Sequence, residues 1–335
     1  MSDDVGVLQH AVETLPNRKW GYCTDDVSRA FMVALAHARL SPALESSRRL
    51  TANYLAFLHH AQLDDGRFHN FMDYDRRWTD EVGTQDSCGR AIWALGYGIE
   101  HSTNDAWRRI CAQMLERALP SLEWLQYPRS WAYAMLGLAH AQSARPAPAY
   151  AAALRELADK LVKMSASAAQ KKWQWFEAAM TYDNARLPEA LLRAGRVLED
   201  GRFTTTGLTA LRFYETIAIE GGIFVPIGND GWYEYGGVRA RYAQQPLEAV
   251  AMLDAELAAF DVTGDAAHAT KAQAALEWYY GKNSREVRMV HGGACYDGLG
   301  EHSVNPNCGA ESTLAFLAAA YAAALRRARV LEAVR

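Results

Sequence analysis

An all-α fold is predicted for this chain, a single-domain (α/α)6 toroid of six inner and six outer helices over residues 1–335, and three observations predict it. Apolar residues recur at three- and four-residue spacing in twelve separate stretches. Six of those stretches open on a polar or acidic cluster that runs straight into an Ala-rich helix, and the openings return about every 45 to 65 residues. A repeat of that length holds one helical hairpin with its loops, and stacked hairpins make a solenoid or a ring.

Taken in order, the helical stretches fall at 5–14, 25–39, 43–62, 85–101, 104–118, 129–143, 147–165, 182–198, 204–219, 245–260, 264–280 and 309–332. The six openings are Asp25-Asp26-Val27-Ser28, Gln85-Asp86-Ser87-Cys88, Arg129-Ser130-Trp131-Ala132, Thr181-Tyr182-Asp183-Asn184, Gln244-Gln245-Pro246-Leu247-Glu248 and Gly309-Ala310-Glu311-Ser312. Helices that start there are expected to line the barrel, where alanine permits close packing. Those near 43, 104, 147, 204 and 264 form an outer layer that the N-terminal helix completes. Strand-like alternation is scarce: the longest β-prone fragment, Gly222-Ile223-Phe224-Val225-Pro226-Ile227, is short and contains a proline.

Half of the residues are hydrophobic and 22% are charged, enough for a large core and unlike a disordered chain. The net charge of −4, with no basic stripe, argues against a nucleic-acid partner. The five cysteines are odd in number and show no short-range pairing pattern, which fits a reducing compartment. The start Met1-Ser2-Asp3-Asp4-Val5 lacks the basic and apolar regions of a leader, and no run of about 18 apolar residues follows. A cytoplasmic protein with no membrane partner is expected.

In a ring of hairpins the inner helices run parallel, so their N-termini and the loops before them meet on one face. Those loops are long and aromatic: 63–84 carries Phe68, Phe71, Tyr74 and Trp78, and 221–243 carries Trp232, Tyr233 and Tyr235. The same face gathers Asp25, Asp26, Asp86, Asp183, Glu248 and Glu311, with Glu177 just ahead of Asp183. Cleaving a glycosidic bond requires one carboxyl group to protonate the leaving oxygen and a second to activate water or attack the anomeric carbon. Asp26, Asp86 and Asp183 are the first candidates for that pair, followed by Glu177 and Glu311. Helix capping accounts for any one of these acids alone, since Asp is a favoured N-cap and complements the helix dipole.

Flat apolar rings suit the C–H faces of a sugar, which marks Trp20, Tyr22, Trp78, Trp175, Trp232 and Tyr233 as candidate platforms. Asp25, Arg90, Tyr182, Asn184 and Gln245 stand in the openings and can reach hydroxyls. So can Asp297, His302, Asn305 and Asn307 in the segment that leads to Glu311. Arg29, Arg90 and Arg186 each follow an acid by three or four residues, and a local salt bridge is expected for each. Cys295, His302 and Cys308 could supply a zinc triad, but the spacing of known sites is absent, so neither a metal nor a cofactor is expected.

Thr24-Asp25-Asp26 with Arg29-Ala30, Gln85-Asp86-Ser87 with Gly89-Arg90-Ala91, Trp173-Gln174-Trp175-Phe176-Glu177, Tyr182-Asp183-Asn184, Pro226-Ile227-Gly228-Asn229 and Gly309-Ala310-Glu311-Ser312-Thr313-Leu314 together resemble a bacterial toroid domain. That domain is found fused to, or encoded beside, group-1 glycosyltransferases and mannoside phosphorylases. The likeness runs from about Trp20 to Leu317. It implies a carbohydrate-active (α/α)6 fold, a mannose-containing ligand, and a glycosyltransferase or phosphorylase partner in the same pathway. It carries no named acid or base onto these positions. The leading expectation is a glycoside hydrolase of short oligosaccharides. A sugar epimerase or lyase of the same fold, or a non-catalytic sugar-binding partner of a glycosyltransferase, is the alternative.

Overall fold

The computed structural model describes residues 1–168 and 172–333. Eleven α-helices occur among them: α1 (Thr24–Leu40), α2 (Glu45–Ala61), α3 (Gln85–His101), α4 (Asp105–Ala118), α5 (Pro128–Ala144), α6 (Pro148–Ala168), α7 (Arg186–Val197), α8 (Gly201–Ala218), α9 (Pro246–Thr263), α10 (Ala266–Trp278) and α11 (Ala310–Ala333). The odd-numbered helices form the inner ring, each packed on the next, and α11 closes on α1. The even-numbered helices pack outside, α2 on α1 and so on to α10 on α9. The fold is the (α/α)6 toroid that the repeat predicts, with five outer helices among the described residues.

Local chemistry sets the helix starts. The Thr84 hydroxyl accepts the Ser87 N–H at 3.1 Å ahead of α3, and Asn104, Asp200 and Asp265 cap α4, α8 and α10 in the same way. Proline opens α5 and α9, where its missing N–H costs nothing. Helix α9 is apolar on almost every side because it is wedged between α7, α10 and α11. The closest approach in the ring is α3 on α5. A Cβ at Gly96 would lie 1.9 Å from the Gly137 carbonyl oxygen, and one at Gly137 would lie 2.3 Å from that of Ile92. Only glycine allows the backbones to meet there.

Two predicted elements differ. Residues 5–14 form no helix: Ala11–Val12 pairs with Leu15–Pro16, Ser2 bridges to Val7 and Leu8 to Tyr22. A ten-residue helix is marginal by itself, and this segment instead spends its backbone groups on the body of the protein. The Ala310 N–H donates to the Gln9 carbonyl, the Cys308 N–H to that of Glu13, and the Ala11 N–H to Asn307 Oδ1 at 2.9 Å. No described helix takes the sixth outer place; the N-terminal hairpin instead crosses the start of α11. Helix α7 begins at Arg186 rather than 182, because Asp183 adopts the left-handed region with φ 47°.

The five cysteines are free and buried. No helix among the described residues is long and apolar enough to cross a membrane.

Candidate active site

The N-termini of the inner helices converge as predicted, and a network of arginines and acids knits the mouth of the barrel together. Arg29 of α1 is its hub on one side. It donates to Asp26 Oδ1 at 2.9 Å and to Glu311 Oε2 at 2.7 Å across the α1–α11 seam, with Asp25 at 3.7 Å. Arg90 of α3 ion-pairs with Asp25 at 2.9 Å and with Asp183 at 3.0 Å, and it donates to the Tyr133 hydroxyl at 2.6 Å. That hydroxyl in turn donates to Asp183 Oδ2 at 2.6 Å. Arg186 of α7 stands 3.5 Å from Asp183 Oδ1 and reaches Glu189 at 2.5 Å and Asp254 of α9 at 2.8 Å. Arg29 makes the local bridge that its spacing predicts, and Arg186 makes it loosely. Arg90 ignores Asp86 and spans to other helices.

Glu248 holds the turn before α7. Its carboxylate accepts the backbone N–H groups of Asp183 and Asn184, and the Tyr214 hydroxyl donates to it at 3.2 Å. Two consecutive N–H groups aimed at one anion require the bent backbone seen at Asp183, whose φ of 47° costs energy that these bonds offset. Burial pushes the Glu248 carboxyl up to about 7, and the Asp183 charge adds to the rise. Burial acts on Asp183 in the same direction, but Arg90, Arg186 and the Tyr133 hydrogen bond win and hold it below the usual carboxylate range. For Asp26, burial outweighs Arg29, and with Glu311 and Asp25 alongside the carboxyl is pushed up to about 7.

The other candidates divide by position. Asp86 accepts from Ser130 at 2.6 Å and from the Tyr182 hydroxyl, so it braces α3 against α5 and the Tyr182 turn. Glu177 takes Arg129 Nη1 at 2.7 Å, and Arg129 also donates to the Tyr182 carbonyl and to Asn184 Oδ1. Asn184 is fully buried. Gln245 is the half-buried residue ahead of α9, while its neighbour Gln244 is buried and bonded to Ser284 and Trp278. Trp20 and Trp232 are exposed rings, and Trp232 donates to Asn229 at 3.0 Å. Tyr233 packs edge-on against Trp173. Trp78 stacks on His69 and meets Phe57 of α2 edge-on.

Two platform candidates are corrected. Trp175 is fully buried between Phe176 and Tyr214, and Tyr22 is 1% exposed with its hydroxyl given to Asp3. Both are core side chains: Tyr22 lies on the short strand Tyr22–Cys23 that pairs with Phe71–Met72, and Trp175 lies in the bent segment ahead of Ala179–Met180. Asp297 accepts from Asn305 and Asn307, and Asn307 also tethers the N-terminal hairpin, so these three stabilise a loop crossing. His302 points to solvent. The Cys295, His302 and Cys308 set does not converge: Cys308 Sγ instead lies 4.0 Å from His291 Nε2.

Beneath the network the barrel holds a narrow cavity of about 120 Å³. Arg29, Arg90, Asp183, Arg186 and Asp254 form its polar part, and Trp93 and Tyr97 stand beside them. The indole N–H of Trp93, a residue 8% exposed, has no hydrogen-bond partner. No histidine lines this cavity among the described residues. Tyr133, Tyr214, Trp93, Glu189 and Asp254 escaped the sequence reading. Apart from Glu189, in the first turn of α7, they lie well inside helices, where a polar or aromatic side chain gives no signal beyond a break in an apolar run.

Architecture and mouth together define the class: an (α/α)6 toroid with a charged opening over an internal cavity. Solved structures of that class superpose over almost the whole chain. A cellobiose 2-epimerase from Spirochaeta thermophila gives a TM-score of 0.72 at 11% identity, with 98% of this chain and 92% of that one covered. A D-mannose isomerase gives 0.72 at 13%, covering 96% and 92%. A GH76 α-mannanase from Bacteroides thetaiotaomicron gives 0.65 at 11%, covering 93% and 88%. At these identities the likeness establishes the fold. No protein-family model matches the chain, and no curated protein does.

Proposed function

We propose that this protein is a glycoside hydrolase that takes a short oligosaccharide at the mouth of the barrel. One observation carries the proposal: a single guanidinium, Arg29, joins a buried carboxyl that keeps its proton near neutrality to two carboxylates that reach solvent. Asp26, pushed up to about 7, is the acid. Asp25 and Glu311 have side chains 27% and 37% exposed. Asp26 protonates the leaving oxygen, Glu311 activates the attacking water, and Arg29 stabilises the charge left on Asp26. Pairs of acids whose surroundings set their proton affinities apart are the usual basis of such acid and base roles. Asp183, locked by two arginines and Tyr133, positions the mouth and gives up no proton.

The superposed epimerases and isomerase raise the alternative of proton transfer beside a carbonyl. Histidine is the commonest base for that chemistry, whereas the titratable groups that Arg29 gathers at the mouth are all carboxyls, which favours the carboxylate mechanism. Mannosides are the first substrates to try, as the sequence resemblance suggests and as the mannanase and mannose isomerase share the fold.

The test is release of reducing sugar from α- and β-linked manno- and gluco-oligosaccharides by wild type, Asp26→Asn and Glu311→Gln. Both variants are expected to lose about 10²–10⁴ in rate. The wild-type kcat/KM is expected to fall as pH rises through about 7, where Asp26 loses its proton. Saturable binding by calorimetry with no cleavage of any panel member would replace the hydrolase with a sugar-binding module.

A further inference from the structure

We propose that the shaft below the charged mouth receives an apolar chain, so that the ligand of this protein is a sugar carrying an alkyl or isoprenoid-like aglycone. The sugar half of the proposal rests on the reading above; the shaft half stands by itself. The cavity continues from Arg29 and Arg90 down the barrel axis. It is walled by Met32, Val33, Leu247, Val250, Leu314 and Ala318, and reaches Leu325 of α11. From Leu314 to Leu325 the helix rises ~16 Å. Over that length the side chains facing the cavity are aliphatic, apart from the edges of Trp93 and Tyr97 and the Asp254 carboxylate that Arg186 holds.

A free pyranose presents hydroxyls on every side, and such walls leave them unpaired, which is costly in a dry site. A hydrocarbon chain loses nothing there. The mouth sets the other end of the ligand. Arg29, Arg90 and Arg186 are each already matched by at least two acids, so an anionic head gains no free cation. A neutral polyhydroxylated head finds carboxylates and guanidinium groups that can serve as acceptors and donors. Ala315 and Ala318, on the wall of α11, keep the bore open.

The experiment is calorimetric titration of the intact protein with methyl, butyl and hexyl mannopyranosides and with 1-hexanol, all below their aggregation limits. Affinity is expected to rise by about fourfold per methylene as the chain enters the shaft. Ala318→Phe, which plugs the bore, is expected to abolish that rise while methyl mannoside binding is unchanged. Ala322→Leu, nearer the far end, is expected to blunt it for hexyl alone and serves if the first variant fails to fold. Hexanol binding that Ala318→Phe removes, without methyl mannoside binding, would uphold the shaft and sink the sugar reading. Affinities independent of chain length, or a chain-length effect that survives the plug in a folded variant, would overturn the shaft.

Discussion

Two clusters of buried carboxylates in this protein are neutralised in opposite ways. At the mouth, Asp183 is served by Arg90 and Arg186, whose planar forks each reach two or more acids and hold it below the usual carboxylate range. In the wall between α8, α9 and α10, Glu215 and Glu256 share one lysine and one histidine. Lys271 meets Glu215 at 2.5 Å, and His268 meets Glu256 at 2.6 Å. The two carboxyls also face each other, with Glu215 Oε1 3.8 Å from His268 Nδ1. Burial, with Glu215 beside it, pushes the Glu256 carboxyl up to about 9, so the wall balances its charge with a proton where the mouth uses guanidinium. A charged site can stay charged in the interior only where enough arginine reaches it, and the mouth is where this chain has placed that arginine.

The largest effect that could break this contrast is loss of an arginine at the mouth. Arg90→Met leaves Asp183 buried beside a missing partner and is expected to cost about 3–5 kcal/mol in urea unfolding. A loss under about 1 kcal/mol would mean that Arg186 and Tyr133 suffice for Asp183.

The pH dependence sharpens the contrast, because the two clusters have opposite signs. Asp183 is held below its ordinary 3.8, so its contribution is present above that value and is lost as pH falls through the lower, folded one. Glu256 is raised, so its contribution is complete below about 4.5 and is lost as pH rises towards 9. Glu256→Gln, with no proton to lose, is expected to flatten the decline of Tm between pH 5 and pH 9. An unchanged slope would remove Glu256 as its source.

The smallest effect belongs to the surface. Arg76 bonds Asp4 at 2.9 Å with both side chains more than half exposed, and Arg76→Ala is expected to change stability by about 0.5 kcal/mol or less. A loss several times larger would show that solvent does not screen that edge, and the line between buried and exposed pairs drawn here would fail.

Much of the mouth was legible in the sequence because its parts are local. Asp25, Asp26 and Arg29 lie within one turn of α1, and their bridge follows from helical spacing. The partners of Arg90 were not legible, since Asp25 and Asp183 come from α1 and from the turn before α7. Trp175 was misread for a related reason. An aromatic ring in an opening segment can face the cup or the core, and only packing against Tyr214 decides between them.

The sequence by itself determined the ring of hairpins and the end at which its charges gather. Periodicity, N-caps and repeat spacing are read within a few residues of each other, and α3 begins and ends at the predicted residues. Only the tertiary structure decided which acid each arginine serves. Arg29 meets Glu311 across 282 positions and Arg90 meets Asp183 across 93, and such pairs exist only once the ring has closed. The same holds for the N-terminal segment. It became a hairpin because the start of α11 offered its backbone partners that a lone helix could not match.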